Sequence, residues 1–354
     1  MTRTVRRALA VGALALLAVS ACSAAPQEPP ATPTATVTPS PSPSRAAAPS
    51  PEAPPTVLPL TGEPVDEIPE RPALSVKVEN TSAARPQAGL DEADIVWETV
   101  VEFSVPRFIA VFHSRSPEKI GPIRSVRPMD PAIIKPMGGI LAASGGQSGI
   151  LSLVRRSGAQ LLTFDAGHPG FYRSRDRVAP HNVYSSAKDL WDQADGDRTA
   201  PPPQQFEYAH GEDEPSAVAL GEKASTLSLR MGQGRPSWTW DPGTGAWLRS
   251  ESGAAASVEG GSRLSAVNVV VLSVEAYDSG YDAQGGAAVP NLRLAGERGK
   301  AWVATGGKVL EGRWSKEAEE EPFVLTVKGE PLLLAPGQTW VEVMPTNEGS
   351  FDFS

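Results

Sequence analysis

The 354-residue chain contains a single cysteine, Cys22, and this limits its possible folds more than any other feature. Without a second thiol, the folded part cannot contain an intramolecular disulfide, a cysteine-based zinc site or a catalytic cysteine. Neither a disulfide nor a cysteine-ligated metal can therefore stabilise the fold.

The position of Cys22 predicts a lipid anchor. Three arginines and an apolar run from residue 8 to residue 19 precede it, and small residues stand directly before it. This pattern is typical of a secretory signal, and the run is too short to span a bilayer. We expect residues 1–21 to be a lipoprotein signal peptide and Cys22, at the first position after the cut, to be diacylated, which would hold the protein on the outer face of the cytoplasmic membrane. The alternative is an ordinary signal peptide with an incidental cysteine.

The next segment, residues 22–56, is rich in proline, alanine, serine and threonine and has few large apolar side chains. Such a composition cannot bury enough surface to offset chain entropy, so a disordered stalk is predicted. The remaining chain of about 300 residues is longer than one hydrophobic core usually serves. We therefore predict two domains, at residues 57–200 and 222–347.

The first domain is predicted to be α/β or α+β, because strand and helix patterns interleave along it. In the strand predicted at 95–103, apolar Trp97 and Phe103 point to one side, while Glu98 and Glu102 point to the other. The remaining predicted elements are strands at 73–79, 107–113, 140–144 and 160–164 and helices at 129–137, 150–157 and 185–194, with a hairpin over 95–113.

The second domain is predicted to be mostly β. Nine strand candidates between residues 225 and 344 are separated by glycine-containing turns that are typical of hairpins.

The charge is unevenly distributed along the chain: residues 71–192 carry 15 Lys+Arg against 12 Asp+Glu, whereas residues 193–354 carry 13 Lys+Arg against 23 Asp+Glu. With a formal net charge of −9, general nucleic-acid binding is not expected, and the first half is the place for an anionic ligand.

Two cationic loops in the first half predict an anion-binding cleft. The loop at 119–128 holds two arginines between glycine and proline, and the loop at 171–184 mixes three arginines with aromatic residues. Arginine forks bind carboxylate or phosphate bidentately. The candidate ligand-binding residues are Arg107, Arg124, Ser125, Arg127, Ser144, Gly145, Gly146, Arg173, His181, Asn182 and Tyr184. The alternative is a solvated basic surface that pairs with the acidic second half.

The segment 140–165 has the outline of a dinucleotide-binding unit, with a strand, a glycine turn, a helix and a second strand. Ser144 stands where the first glycine of that fingerprint should be, so the signal is weak. The same turn resembles a nucleophile elbow until Ile150, which replaces a required glycine. What remains is a turn that exposes backbone N–H groups at a helix start, which favours an anion.

Carboxylates in the first half suggest an alternative, a cell-wall-active hydrolase. Glu98 and Glu102 are four residues apart on the predicted strand, about 13 Å, which exceeds the roughly 5–9.5 Å that glycosidases use. One of them could still join Asp94 or Glu79, or His181 could act as a general base. An ion pair between Glu102 and Arg107 across the hairpin is the simpler interpretation. No HExxH or CxxC pattern is present, so neither a metal nor a cofactor is predicted.

Several motifs together resemble the YerB-like bacterial lipoproteins. The motifs are Pro59-Leu60-Thr61-Gly62, Arg85-Pro86-Gln87, Ala93-Asp94-Ile95-Val96-Trp97-Glu98, Ile120-Gly121-Pro122-Ile123-Arg124-Ser125-Val126-Arg127, Ala179-Pro180-His181-Asn182-Val183-Tyr184 and Pro336-Gly337-Gln338-Thr339-Trp340. The resemblance implies a two-domain lipoprotein near cell-wall synthesis, from a family named for a domain of unknown function with no established activity or cofactor.

These features together favour a non-enzymatic binding or accessory module for an anionic cell-envelope ligand or for the cell-wall synthesis machinery. The hydrolase is one alternative. The other is a scaffold that docks a protein partner through an exposed apolar patch on its β domain.

Overall fold

A computed structural model describes residues 55–211, 213–283 and 285–354 of the chain. The predicted signal peptide, Cys22 and nearly all of the predicted stalk lie outside these residues. Within the described part, no helix is both long and apolar enough to cross a membrane.

The first half of the described chain interleaves strands with short helices, as its sequence pattern predicts. The strands are β1 (Leu74–Glu79), β2 (Ile95–Val100), β3 (Pro106–Phe112), β4 (Ile140–Ala143), β5 (Gln160–Thr163), β6 (Tyr172–Arg173) and β7 (Val183–Tyr184). The helices are α1 (Asp130–Ile134), α2 (Ser148–Arg156) and α3 (Ala187–Trp191). Ser186 caps α3, since its side chain accepts a hydrogen bond from the backbone N–H of Asp189 at 3.0 Å.

The second half is almost entirely β, which confirms the prediction for this part of the chain. One short helix, α4 (Ser216–Leu220), precedes the strands. These are β8 (Glu222–Lys223), β9 (Thr226–Met231), β10 (Pro236–Asp241), β11 (Ala246–Glu251), β12 (Ala254–Ala255), β13 (Ser265–Ala266), β14 (Asn268–Val274), β15 (Ala276–Asp282), β16 (Ala288–Leu292), β17 (Glu297–Thr305), β18 (Lys308–Lys316), β19 (Val324–Val327), β20 (Glu330–Pro331), β21 (Thr339–Pro345) and β22 (Gly349–Phe353).

One large sheet joins the two halves. Its strands lie in the order β20-β19-β18-β17-β14-β21-β2-β3-β1-β4-β5, with β8 beside β18. Strand β21, near the end of the chain, runs parallel to β14 on one side and to β2 on the other. The two predicted domains therefore share one sheet, although their sequence ranges correspond to its two halves.

Both faces of the large sheet are covered, which gives two hydrophobic cores. On one face, Trp97 and Ile109 pack with residues of α1 and α2 such as Ile133. On the other face, Phe108 and Trp340 pack against a smaller sheet of order β12-β11-β10-β9-β22, with β13 beside β11. Two further hairpins, β6–β7 and β15–β16, form small sheets of their own.

Because both faces of the sheet are covered, neither side of β2 faces solvent. Every residue of β2 is buried, including Glu98, because the strand lies in the middle of a sheet that is covered on both faces. The strand also ends at Val100 rather than at Phe103. A tight turn follows, in which Phe103 adopts φ +59° and Ser104 φ +55°.

Candidate functional site

A cavity of about 610 Å³ opens where several connections of the first half meet. We call it the arginine cleft. It is lined by Thr81, Val101, Glu102, Phe103, Val105, Arg107, Arg124, Ser125, Arg127, Gly146, Gln147, Asp165, Pro180 and Ala283. The turn after β2, the start of β3, the loop at 119–128, the turn before α2 and the tip of the β15–β16 hairpin thus all contribute to it.

Arg107 forms the floor of the cleft. It lies on β3, opposite Glu79 of β1 and Thr99 of β2, and only 7% of the residue is exposed. Its Nη1 donates to the carbonyl oxygen of Ser125 at 3.1 Å, whereas its Nε has no hydrogen-bond partner among the described residues. No carboxylate of the described residues lies within 4.0 Å of its guanidinium. Burial, and next the charge of Arg127, lower the pKa of Arg107 to about 9.

Arg127 lies at the side of the cleft and is neutralised by Glu102. Its Nε and Nη2 donate to the two carboxylate oxygens of Glu102, a bidentate pair. Although burial opposes it, this pairing holds the pKa of Glu102 below its usual value. The predicted ion pair between Glu102 and Arg107 is therefore wrong. Because β2 ends at Val100, Thr99 faces Arg107 and Glu102 lies in the turn beyond, within reach of Arg127.

Arg124 joins the two cationic loops. Its Nη1 donates to the carbonyl oxygen of Pro180 at 3.3 Å, and its Nε lies 3.4 Å from Oε2 of Glu79. The carboxylate of Glu79 is buried, and each of its two oxygens also lies 2.9 Å from Nδ1 of His181. The two loops therefore contact each other at Arg124 and Pro180, and Glu79 contacts both Arg124 and His181.

A fully buried ion pair supports the loop from below. Nζ of Lys77 lies 2.7 Å from Oδ1 of Asp130, and neither side chain is exposed. The other oxygen of Asp130 accepts a hydrogen bond from the backbone N–H of Arg127 at 2.8 Å. Desolvation lowers the pKa of Lys77 to about 8, although Asp130 opposes the shift. The carboxylate of Asp130 therefore fixes the backbone from which Arg127 extends.

The glycine turn before α2 completes the wall. The hydroxyl groups of Ser125 and Ser144 are 3.2 Å apart, and Gly146 and Gln147 border the cavity. A side chain at Gly145 would collide with the carboxylate of Asp165, which explains the glycine there. Helix α2 has nine residues, and no side chain caps its first N–H groups. Its positive end therefore lies beside the arginines.

Six of the eleven predicted residues lie outside the lining of the cleft: Ser144 and Gly145 of the glycine turn, and Arg173, His181, Asn182 and Tyr184. Nη1 of Arg173 donates to Oδ1 of Asn182 at 2.6 Å, and the buried Tyr184 donates from its hydroxyl to Oε1 of Glu259 at 3.0 Å. Burial and the charge of Glu259 raise the pKa of Tyr184. His181 borders a neighbouring cavity of about 580 Å³. The structure thus gathers Arg107, Arg124, Ser125, Arg127 and Gly146 in one cleft, with Ser144 bonded to Ser125 behind it.

Several lining residues were not predicted from the sequence, and Phe103 is the most prominent of them. The residue is 61% exposed and lines the cleft. The alternation of the preceding strand placed Phe103 on a buried face. Only the Ser104-Val105-Pro106 segment that follows indicated a turn nearby.

The residues considered for hydrolysis are engaged elsewhere. Glu98 is buried against Arg249, at 2.7 Å, on the face covered by the smaller sheet. Asp94 accepts hydrogen bonds from the backbone N–H groups of His113 and Ser114. His181 contacts Glu79 and makes no hydrogen bond to a serine among the described residues. Across the same residues, no three His, Cys, Asp or Glu side chains are grouped as a metal site requires.

Comparison with known proteins gives consistent matches over the folded part. Residues 60–200 match the N-terminal domain, and residues 227–341 the C-terminal domain, of the protein family of unknown function DUF3048. The chain is 25% identical over 311 residues to a Bacillus subtilis (strain 168) protein whose name describes it as a candidate lipoprotein, YerB. That match covers 81% of the chain and 86% of the relative. The crystal structure of YerB from Bacillus subtilis superimposes with a TM-score of 0.70 at 24% identity, over 84% of this chain and 99% of that one, which establishes the shared fold.

Proposed function

The chain belongs to the DUF3048 family of YerB-like proteins, as its motifs predict, and from this premise we propose that it is a lipid-anchored accessory protein that binds an anionic ligand of the cell envelope. The name of the YerB relative, which describes a lipoprotein, supports an anchor at Cys22. Diacylation at that position would hold the folded part on the outer face of the cytoplasmic membrane, where anionic wall polymers and the proteins that build them are found.

The observation that carries the proposal is the state of Arg107. A buried cation is costly unless a counter-ion and hydrogen bonds compensate for its lost hydration. Arg107 has one hydrogen bond to a carbonyl oxygen and no carboxylate partner among the described residues. An incoming oxyanion would supply the missing charge and a partner for the free Nε.

The neighbouring groups fit the same ligand. Arg124 also lines the cleft, with its Nε 3.4 Å from Glu79, and Gly146 and Gln147 of the wall lead into α2, whose first N–H groups no side chain caps. Phosphate and carboxylate are the anions that such a combination of guanidinium forks and helix N–H groups recognises. The exposed carboxylate of Asp165, which lies against Gly145 in the wall of the cleft, would disfavour an anion with charge spread along its whole length. The charged part of the ligand is therefore expected at the Arg107 end.

The experiment is a calorimetric and thermal-shift titration of the full-length chain in detergent. The ligands are soluble peptidoglycan fragments, an anionic wall polymer and inorganic phosphate. A ligand present at 100 times its dissociation constant stabilises the native state by about 2.7 kcal/mol. We expect at least one of them to bind the wild type, and Arg124→Ala/Arg127→Ala to bind it at least tenfold more weakly.

Arg298→Ala is the matched control, because Arg298 is an exposed arginine of β17 outside the cleft. It should leave the affinity unchanged. Failure of all these anions to bind the wild type would contradict the proposal. Turnover of a bound wall fragment would instead favour the hydrolase.

A further inference from the structure

The lining of the arginine cleft carries a feature that an anion alone does not explain. Phe103 exposes 61% of its surface and holds φ +59° and ψ +22°, and the next residue, Ser104, has φ +55°. The left-handed region is uncommon for any residue other than glycine and is a true outlier for a bulky one. Such a conformation is energetically unfavourable and persists only where the surroundings impose it.

The surroundings do impose this turn. The carbonyl oxygen of Phe103 accepts a hydrogen bond from Nε2 of Gln233 at 2.8 Å, and that of Ser104 accepts one from the backbone N–H of Gln233 at 2.7 Å. The hydroxyl of Ser104 donates to Glu348 at 2.6 Å. Three hydrogen bonds from the second half of the chain thus hold the turn in place. None of them fixes the ring, which the turn presents to the cleft.

The cleft is therefore mixed in polarity. Its lining combines two cationic side chains, those of Arg107 and Arg124, with three apolar ones, those of Phe103, Val105 and Ala283. Its volume of about 610 Å³ lies within the range of roughly 300–1,000 Å³ that is typical of small-molecule pockets and exceeds what a bare phosphate needs. A phosphate on Arg107 would leave the space beside Phe103 for another part of the same ligand.

We infer that Phe103 is a specificity residue and that the ligand is a phosphate ester bearing a ring, whose flat face stacks on the Phe103 side chain. This inference rests on the proposed function, since it takes the anion site on Arg107 as given. The shared chemistry of the ligand is an oxyanion joined to a ring that is either a sugar or an aromatic group. Both kinds of ring present a face that packs on a phenyl group.

The test compares three phosphate esters of equal charge by calorimetry on the full-length chain in detergent. Methyl phosphate has no ring, phenyl phosphate has an aromatic ring and α-D-glucose 1-phosphate has a sugar ring. An aromatic stacking partner typically changes affinity by about 5- to 100-fold when replaced by alanine. We expect at least one ring-bearing ester to bind wild type more than fivefold tighter than methyl phosphate, and Phe103→Ala to abolish that advantage while leaving methyl phosphate within twofold.

Two further variants separate stacking from a damaged turn. Phe103→Tyr keeps a ring and should keep the advantage, and Phe353→Ala removes an exposed phenylalanine of β22 outside the cleft and should change nothing. Tighter binding of glucose 1-phosphate alone or of phenyl phosphate alone would support the inference and name the ring. Equal affinity of all three esters for wild type, or an advantage that survives Phe103→Ala, would overturn it.

The two proposals can fail separately. If methyl phosphate binds wild type and is lost in Arg124→Ala/Arg127→Ala, but no ring adds affinity, the anion site stands and the role of Phe103 falls. If none of the three esters binds wild type, the inference about Phe103 falls, and the titrations with peptidoglycan fragments, the anionic wall polymer and inorganic phosphate decide the proposed function.

Discussion

Nη1 of Arg107 donates to the carbonyl oxygen of Ser125 at 3.1 Å, and this is the single hydrogen bond of the Arg107 side chain within the described residues. The bond holds the guanidinium under the cationic loop and leaves Nε without a partner. A carbonyl oxygen carries only a partial charge, so the protein keeps a buried cation that is incompletely compensated. Such an arrangement makes the ligand-free native state less stable and is typical of a binding site.

Replacing Arg107 by methionine should therefore separate stability from binding. The substitution removes a buried charge and fills a similar volume, which is commonly neutral or stabilising by 1–4 kcal/mol. We expect the free energy of unfolding to rise by about 1 kcal/mol and the affinity for oxyanions to fall at least tenfold, as measured by urea unfolding and calorimetry. A large loss of stability would show that Arg107 is a structural residue rather than a ligand residue.

The affinity for an oxyanion should fall as the pH rises into the alkaline range. Burial lowers the pKa of Arg107 to about 9 and that of Lys77, directly below the loop, to about 8. Both groups are charged at pH 7, and each loses a proton as the pH rises through its lowered pKa, so positive charge leaves the site. Sulfate keeps its charge over this range. Its affinity should fall about tenfold between pH 7 and pH 10, and an affinity that stays constant would contradict the assignment.

Local pattern was sufficient to predict much of the first half. The hairpin of β2 and β3 and the strand-helix-strand unit of β4, α2 and β5 followed from apolar periodicity and turn residues, with bounds within a few residues. The gathering of Arg124, Ser125 and Arg127 was predictable for the same reason. They are neighbours in a loop that glycine and proline keep out of a helix.

Long-range pairing was not predictable in this way. Strand β21 lies between β14 and β2, more than 200 residues from β2 in sequence, and no local signal indicates that position. The predicted partner of Glu102, Arg107, was wrong because the position of Glu102 depends on where β2 ends, and its partner in the structure is Arg127. The conformation of Phe103 is imposed by hydrogen bonds from Gln233, which is distant in the chain.

The strain at Phe103 gives a second test in which stability and binding change in opposite directions. Asparagine tolerates a positive φ better than phenylalanine. Because little of the ring is buried, Phe103→Asn should raise the free energy of unfolding by about 1 kcal/mol in urea titrations while weakening binding of ring-bearing phosphate esters. Phe353→Asn is the matched control on strand β22 and should not stabilise, because asparagine is disfavoured in strands. Equal effects of the two substitutions would mean that the turn at Phe103 stores no strain.

A second buried arginine offers the sharpest contrast with Arg107. Arg249 on β11 lies 2.7 Å from Glu98, 2.7 Å from Glu342 and 3.1 Å from Glu251, so one cation is surrounded by three carboxylates. Glu98 and Glu342 occupy paired positions on β2 and β21, where the two halves of the large sheet meet. Burial raises the pKa of Glu98 well above its usual value, although Arg249 opposes the shift. Arg249 therefore offsets part of the cost of burying a charge on Glu98.

Arg249→Met should therefore destabilise the protein by about 3–5 kcal/mol at pH 7, because it leaves buried carboxylates without their cation. The same substitution at Arg107 is expected to stabilise. Without Arg249, the folded-state pKa of Glu98 rises further above that of the unfolded chain, so a proton binds preferentially to the folded state. The loss in free energy of unfolding caused by Arg249→Met should therefore be smaller at pH 5 than at pH 7, as urea unfolding at both pH values would measure. A deficit that is the same at both values would mean that packing, rather than charge, is what Arg249 contributes where the two halves join.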